Sequence, residues 1–274
     1  MTFSLIFADP AGGVVGGGVQ SHYPFVGATV LRARAGVGAS VSQGVGSAAL
    51  ADELLGRLDG GEPPVDAMRA VVSGCVNPDS RQLAVIGSTG LKAVHTGAHC
   101  IAFAAESLNP GFLAVGNMLS QPDTLQAMAT TFRRSFSSPP AERVAQALLA
   151  ADRAGGDVRG KQSAALVIKY ESTDWRDIDV RVDDAAEPLS ELSRLIELRR
   201  RYEVLDDPAV KAGTSALDHA VRLAIEEEWP EEVRFWLIVL LEKMGRPTAE
   251  QLLWPLIAKE PWRTVWLRIQ DISD

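Results

Sequence analysis

The residue whose chemistry stands out first is Thr2, directly behind Met1. If Met1 is removed, Thr2 carries a hydroxyl and a free α-amine, which can act as nucleophile and base within one residue. An α-amine titrates near about pH 7.7–8.0 in model peptides, so much of it can accept a proton at neutral pH. Threonine is also a common strand residue, and on the residues alone this second interpretation is the stronger one.

Two further stretches place polar side chains beside glycines. Asn117 follows a glycine at the end of a predicted strand, where its amide could donate to a developing oxyanion. Asp157 and Arg159 lie in the polar loop 155–163, where they could form an ion pair that orients a site, and Arg159 could bind a carboxylate. The alternative is a loop salt bridge after a helix that ends on two glycines, and the residues alone favour it.

Two motifs that look like ligand sites carry less weight. Residues 44–49 match G-x-G-x-x-A between a strand and a helix, but a Gly-Gly-Glu-Pro-Pro turn and another helix follow. A dinucleotide-binding fold needs a second parallel strand in that space, so we reject it. His95 and His99 are four residues apart, yet Gly97 breaks the segment and no helix aligns them as metal ligands. We expect no metal and no cofactor.

Composition excludes several classes of function. The formal net charge of −8 argues against nucleic-acid binding, which depends on many Lys and Arg contacts to phosphates. The chain has no apolar run of membrane-spanning length and no leader pattern, so we expect a cytoplasmic protein without membrane contact. Cys75 and Cys100 fit no metal spacing and are expected to be reduced, buried thiols.

The hydrophobic pattern predicts an α+β fold. Phe3, Leu5 and Phe7 alternate with polar or opposite-facing residues, which is typical of a strand at the start of the chain. The same patterns predict further strands at 14–21, 29–35, 37–43, 82–86, 91–95, 100–104, 112–115, 163–170 and 177–182. Helices are predicted at 47–58, 64–73, 122–132, 140–154 and 189–204. Strands and helices in consecutive pairs suit two stacked sheets with helices outside them, rather than alternating βαβ units.

Composition also divides the chain. Of its 24 glycines, 22 precede residue 161, whereas all six tryptophans follow residue 174. We therefore predict a body over residues 1–210 and a Trp-rich helical domain over residues 211–274. This tail is expected to form three helices, at 216–228, 231–244 and 248–258. Its apolar stripe indicates a small helical core, or a face that docks on the body or a second subunit.

Several stretches together resemble one bacterial family, the domain of unknown function numbered 1028. They are Thr2–Ser4, Val26–Ala28, Ala33–Ala39, Arg81–Gln82, His95–Gly97, Gly116–Leu119 and Ala154–Leu166. The resemblance covers about residues 2–205 and implies an N-terminal-nucleophile (Ntn) hydrolase-like fold, a four-layer αββα sandwich, with the helical tail as a small C-terminal extension. This sequence departs from the family pattern at residues 86–88 and 103–105.

The resemblance makes Thr2 the leading nucleophile candidate. It implies an amidohydrolase that cleaves a small amide or peptide-like bond, with Asn117 at the oxyanion and Asp157 and Arg159 orienting the amine or substrate. An early basic residue, Arg34, is expected to lower the pKa of the amine by proximity. The expected substrate contacts are Ser21, His22, Arg34, Gln43 and Gln162. The alternative is a non-catalytic binding or scaffold protein that interacts through its tail, and a homo-oligomer is compatible with both.

Overall fold

The computed structural model describes residues 2–172, 176–246, 251–257 and 259–270. The chain divides into two compact units, one ending at Ile196 and the other beginning at Glu197. This division falls inside a helix, before the boundary near residue 210 that composition predicts. Among the described residues, no helix combines the length and the apolar character needed to cross a membrane.

The first unit contains two antiparallel sheets. Its ten strands are β1 Thr2–Asp9, β2 Val14–Ser21, β3 Leu31–Arg34, β4 Gly38–Gly44, β5 Arg81–Gly87, β6 Lys92–Thr96, β7 Ala105–Asn109, β8 Phe112–Asn117, β9 Ser163–Tyr170 and β10 Ile178–Val182. Six of them form one sheet in the order β10-β9-β2-β1-β8-β7, and four form the other in the order β3-β4-β5-β6. The predicted α+β class with two antiparallel sheets is confirmed.

Six helices accompany these strands. They are α1 Val26–Thr29, α2 Ala48–Asp59, α3 Pro64–Gly74, α4 Thr124–Arg134, α5 Pro140–Arg153 and α6 Pro188–Glu203. Leu54 of α2 and Met68 of α3 are buried with Leu83 and Val85 of the smaller sheet. Helices α4 and α5 bury their apolar sides against the larger sheet. Proline at the first position of α3 and α5 suits helix entry, because the missing N–H has no partner there.

The alternation of β1 decides which side chains meet which layer. Phe3, Leu5 and Phe7 are buried in the cluster that contains α4 and α5. Ile6 and Ala8 belong instead to a cluster shared by the two sheets. Because successive side chains of a strand point to opposite faces, Thr2 and Ser4 lie on the face shared with the smaller sheet.

The glycine run of β2 allows strands to approach closely. A Cβ on Gly17 would lie 2.3 Å from the main-chain oxygen of Leu5 in β1, and one on Gly16 would lie 2.3 Å from that of Val167 in β9. Only glycine fits such positions without moving a neighbouring strand. The run is therefore explained by packing in the middle of the six-stranded sheet.

Two predicted strands differ from the structure. Residues 29–35 were expected to be extended, but Val26–Thr29 forms a helical turn, and β3 begins only at Leu31. The predicted strand 100–104 is a loop, which bonds through Ile101 and Phe103 to the backbone of residues 118 and 119. The strand of this region that pairs with β8 is instead β7, because its backbone forms an antiparallel ladder with that of β8. Apolar content misled the prediction, because Ile101 and Phe103 are exposed.

The second unit is helical where it is described. Its helices are α7 Pro208–Lys211, α8 Ser215–Glu226, α9 Glu231–Lys243 and α10 Lys259–Gln270. Phe235 is fully buried and its ring centroid lies 4.9 Å from that of Trp262, in a stacked arrangement. The predicted helix 248–258 falls partly outside the described residues. Within them, residues 251–253 are helical and Trp254–Leu256 is a short 3-10 turn.

Candidate active site

A cavity of about 340 Å³ opens at the ends of β1, β2 and β4. Its described lining consists of Thr2, Ser21, Tyr23, Val26, Thr29, Val30, Gln43, Gly44, Gly46, Met118 and Arg159. The strand register explains why Thr2 and Ser21 meet there, with Asn117 beside Thr2. Thr2 of β1 stands opposite Ser21 of β2 on one side and Asn117 of β8 on the other. In antiparallel sheets, directly opposite residues place their side chains on the same face.

Thr2 is held from both sides of the cleft between the sheets. Its Oγ1 lies 3.1 Å from Ser21 Oγ, within the same sheet. The Gln43 side chain reaches across from the smaller sheet and donates from Nε2 to the Thr2 carbonyl oxygen at 3.1 Å. Thr2 is only 8 % exposed, yet it lines the cavity. The hydroxyl is therefore both positioned and reachable by a small molecule.

A buried amide network supports this end of β1. Ser4 Oγ donates to Gln43 Oε1 at 2.7 Å, and Gln43 Nε2 donates to Gln82 Oε1 at 2.7 Å. Gln82 Nε2 in turn lies 3.1 Å from the carbonyl oxygen of Gly116 in the larger sheet. Such side-chain networks fix the relative position of the elements that they join, since breaking them leaves buried polar groups without hydrogen-bond partners.

Asn117 lies beside Thr2 but is directed away from the cavity lining. It is 3 % exposed, and its Nδ2 donates to Gln82 Oε1 at 3.1 Å. The arrangement makes Asn117 a member of the amide network. Its side chain is not part of the described lining of the cavity.

Asp157 and Arg159 form the ion pair that the sequence suggests. Asp157 Oδ2 accepts from the main-chain N–H of His22 at 2.9 Å and from Arg159 Nη2 at 3.2 Å. Its Oδ1 accepts from the main-chain N–H of Arg159 at 2.8 Å and from Nε at 3.3 Å. The Asp157 carboxylate is fully buried, whereas the Arg159 side chain is 37 % exposed and lines the cavity. The carboxylate thus holds the guanidinium at the cavity wall.

Lys161 anchors the same loop. Its Nζ lies 2.6 Å from Glu187 Oε2 and 3.3 Å from Asp152 Oδ2. The hydrogen bond to Glu187 raises the pKa of the Lys161 ammonium above its ordinary value. The loop that carries Arg159 is therefore tied to α5 and to the segment before α6.

The other expected substrate contacts lie farther from Thr2. The exposed His22 contributes its backbone to Asp157, and its side chain is not part of the described lining. Gln162 donates through Nε2 to Asp184 Oδ1 at 3.1 Å, while its main-chain N–H bonds Ser21. Arg34 stands at the far end of β3 and pairs with Asp59 at 2.8 Å. The structure therefore does not bring Arg34 to Thr2, because the helical turn α1 places Leu31, not Arg34, at the cavity end of the strand.

Sequence reasoning missed several residues of the cavity wall. Met118 has a φ of 51°, a strained conformation for a side chain of its size. Gly44 and Gly46 form another part of the wall, and a Cβ on Gly46 would lie 2.8 Å from the Ser42 carbonyl oxygen. The G-x-G spacing at 44–46 carries that signal, because such glycines allow close approach of a ligand. Tyr23 has no local signal that distinguishes it from other exposed loop residues.

No group of three or more His, Cys, Asp or Glu that could hold a metal ion occurs among the residues that the structure describes. The site is instead built from hydroxyls, carboxamides, glycine backbone and a single ion pair. These are groups suited to positioning and to nucleophilic chemistry.

The fold and cavity define a mixed α+β protein of two antiparallel sheets with a polar pocket at the start of its first strand. A model for the family of unknown function DUF1028 matches residues 2–192, and the chain belongs to this family. A crystal structure of a DUF1028 protein from Silicibacter pomeroyi is similar, with 32 % sequence identity and a TM-score of 0.67. The match covers 72 % of this chain and 84 % of that one. No curated protein matches the chain.

Proposed function

We propose that the protein is an Ntn-type amidohydrolase that cleaves a small amide or peptide-like bond with Thr2 as its nucleophile. The observation that carries this proposal is the position of Thr2. Its hydroxyl lies between the sheets, next to Ser21, and opens onto a cavity of a size that small-molecule sites have. Ser21 and Gln43 are also buried strand residues that line the cavity, but only Thr2 would carry an α-amine beside its hydroxyl.

The layering supports the finer assignment of the fold. Apolar clusters lie between α2, α3 and the smaller sheet, between the two sheets, and between the larger sheet and α4, α5. We interpret this as the αββα sandwich of Ntn hydrolases, in which the residue at the start of a central strand is the nucleophile.

The reaction proceeds in two steps once the residue before Thr2 has been removed. Thr2 Oγ1 attacks the amide carbonyl, and the α-amine of the same residue takes the hydroxyl proton and delivers it to the leaving nitrogen. The carbon–nitrogen bond breaks, the amine product departs, and an ester remains on Oγ1. Water then attacks the ester, its proton returns to Oγ1, and a carboxylic acid is released. Ser21 Oγ positions Thr2 Oγ1 from 3.1 Å.

The oxyanion donor that the geometry favours is the backbone of the glycine wall. Gly46 lines the cavity, is exposed, and no acceptor for its N–H is found among the described residues. Backbone N–H groups are common oxyanion donors, because their position costs no reorganisation. Asn117, which the sequence favours for this role, is not among the described residues that line the cavity, and its Nδ2 donates to Gln82. We therefore assign Asn117 to positioning through the amide network.

The remaining parts of the proposal follow from composition and size. A cavity of about 340 Å³ suits a small amide, and the chemistry described needs no cofactor. Both cysteines are free thiols in the structure, which suits the cytoplasm that we propose as the location.

The test combines intact mass with covalent labelling. The active preparation should begin at Thr2, and a hydroxyl-directed β-lactone should add one equivalent to the peptide that begins with Thr2. Ser21 and Thr29 line the same cavity and serve as internal controls, since they lack an α-amine. Thr2→Ser should keep the adduct and Thr2→Ala should lose it.

Two results would contradict the proposal. One is a Thr2→Ala variant that hydrolyses an amide library as fast as the parent chain. The other is full activity in protein whose residue 2 still carries a preceding residue. If no amide turns over and no adduct forms, the non-catalytic binding protein becomes the better account.

A further inference from the structure

The cavity beside Thr2 has an unusual charge for this protein. The chain carries a formal net charge of −8, yet Arg159 alone is charged among the described residues that line the cavity. Asp157 pairs with the guanidinium and offsets part of its charge, but the Asp157 side chain is fully buried, so the guanidinium is the charged group that the cavity presents. While Thr2 still carries a preceding residue, a ligand in the cavity therefore meets one cation, with neutral hydroxyl, amide and apolar groups around it.

The guanidinium is held before any ligand arrives. Asp157 contacts both Nε and Nη2 of Arg159, at 3.3 and 3.2 Å. The same carboxylate is already bonded to two main-chain N–H groups, those of His22 and Arg159. Holding a long side chain in place reduces the entropy lost when it binds a ligand, and a planar guanidinium suits a carboxylate.

Exposed apolar side chains occur in the segments that form the cavity wall and in a segment bonded to it. Tyr23 lines it, Val45 lies between the two wall glycines, and Val158 precedes Arg159; all three are exposed. Ile101 and Phe103 are also exposed, and their backbones bond residues 118 and 119 beside the cavity. Large exposed apolar groups gathered around a pocket indicate a surface that is covered when a ligand binds.

We propose that the substrate is a carboxylate-bearing amide with an apolar substituent, of which the N-acyl derivative of an apolar amino acid is the simplest example. Arg159 binds the carboxylate, and the apolar substituent lies against Tyr23, Val45 and Val158. Asp157 is a positioning residue that acts through Arg159. The proposal rests on the amidohydrolase function for turnover, but the anion preference is a property of binding alone.

The experiment measures binding to the full chain by calorimetry with two probes that differ in one group. They are N-acetylphenylalanine, which carries the carboxylate, and its neutral primary amide. Measurements use the Thr2→Ala variant, so that hydrolysis does not consume either probe. We expect the carboxylate to bind at least about tenfold more tightly at low salt, with the difference shrinking as ionic strength rises.

Variants then assign the preference to one side chain. Arg159→Gln alone leaves a buried carboxylate without its cation, so the double variant Asp157→Asn/Arg159→Gln is used, with its melting temperature measured alongside. It should bind the two probes within about twofold of each other. Arg159→Lys should keep part of the difference. Arg69→Gln, which removes an exposed arginine paired with Asp66 on α3, should keep all of it.

The proposal is overturned if the two probes bind Thr2→Ala equally well, if neither binds at millimolar concentration, or if the folded double variant keeps the preference. These outcomes differ from failure of the proposed function. A Thr2 adduct without anion preference removes only the substrate class. An anion preference in a protein whose Thr2→Ala variant is fully active removes only the nucleophile.

Discussion

Gln82 is the centre of the buried amide network, and its replacement by methionine tests whether that network is sealed from water. The side chain is fully buried on β5. Its Oε1 accepts from Gln43 Nε2 at 2.7 Å and from Asn117 Nδ2 at 3.1 Å. Methionine has a similar length but a weakly accepting sulfur and no donor, so Gln82→Met removes both acceptor contacts with little change of volume. It also removes the donations of Nε2 to Thr96 Oγ1 and to the carbonyl oxygens of Ala105 and Gly116.

The expected loss follows from the groups that remain. Gln43 Nε2 keeps its bond to the Thr2 carbonyl, but it loses one of its two acceptors, and Asn117 Nδ2 loses the acceptor that the structure gives it. A buried donor left without a partner costs about 1–3 kcal/mol. We therefore expect the free energy of unfolding of the first unit to fall by about 2–4 kcal/mol. In a unit of this size, that is on the order of 10 °C in Tm.

The assay must report on the correct unit. Five of the six tryptophans follow Glu197, so their fluorescence mainly follows the second unit. Hydrogen exchange of the amides of β5 and β8, read by mass spectrometry across a urea series, follows the strands that Gln82 joins. The matched control is Gln126→Met on the exposed side of α4, where we expect a change within about 0.5 kcal/mol.

A loss below about 0.5 kcal/mol in Gln82→Met would refute the reasoning. It would mean that water reaches Asn117 and Gln43 and replaces the missing acceptor. An equal loss in Gln126→Met would refute it in another way, by showing that the substitution itself rather than the network is responsible.

Three further predictions concern packing and ionisation. Gly17→Ala should destabilise the first unit by at least about 2 kcal/mol in urea, since its Cβ meets the backbone of β1, whereas Gly56→Ala in open space on α2 should stabilise it by about 0.5–1 kcal/mol. Phe235→Ala should lower the stability read by tryptophan fluorescence by about 3–5 kcal/mol, and an unchanged midpoint would contradict its place in the core. Burial raises the pKa of the Cys100 thiol, so in a Cys75→Ser variant its alkylation, followed by mass, should accelerate only at a higher pH than that of a free cysteine. Because this thiol ionises more readily in the unfolded chain, Cys100 should also lower stability as the pH rises past about 8.5.

Much of the candidate site could be predicted from the sequence. Thr2 was predicted at the start of a buried strand, and Asp157 and Arg159 were predicted as an ion pair in one loop; the structure has both features. These expectations succeeded because they depend on short-range chemistry: a period-2 pattern, and opposite charges two residues apart. The family recognised from the motifs is confirmed over residues 2–192.

Other features depend on the tertiary structure. The partnership of Gln43 with Gln82 and Ser4 depends on how one sheet lies over the other, which strand patterns do not specify. The position of Arg34 depends on which end of β3 lies at the cavity, which the predicted strand 29–35 does not specify. The conformation of residues 100–104 depends on which backbone offers free hydrogen-bonding groups beside it.

The sequence by itself determined which residues are apolar at strand and helix spacing, and therefore most of the elements and their buried faces, with the segments 29–35 and 100–104 as exceptions. It also determined the hydroxyl of Thr2 and the charges of Asp157 and Arg159. Only the tertiary structure decided that Thr2, Ser21 and Arg159 line one cavity while Asn117 turns to Gln82. The reason is physical: local patterns specify the direction of a side chain relative to its own strand, whereas a site depends on distances between strands far apart in the chain.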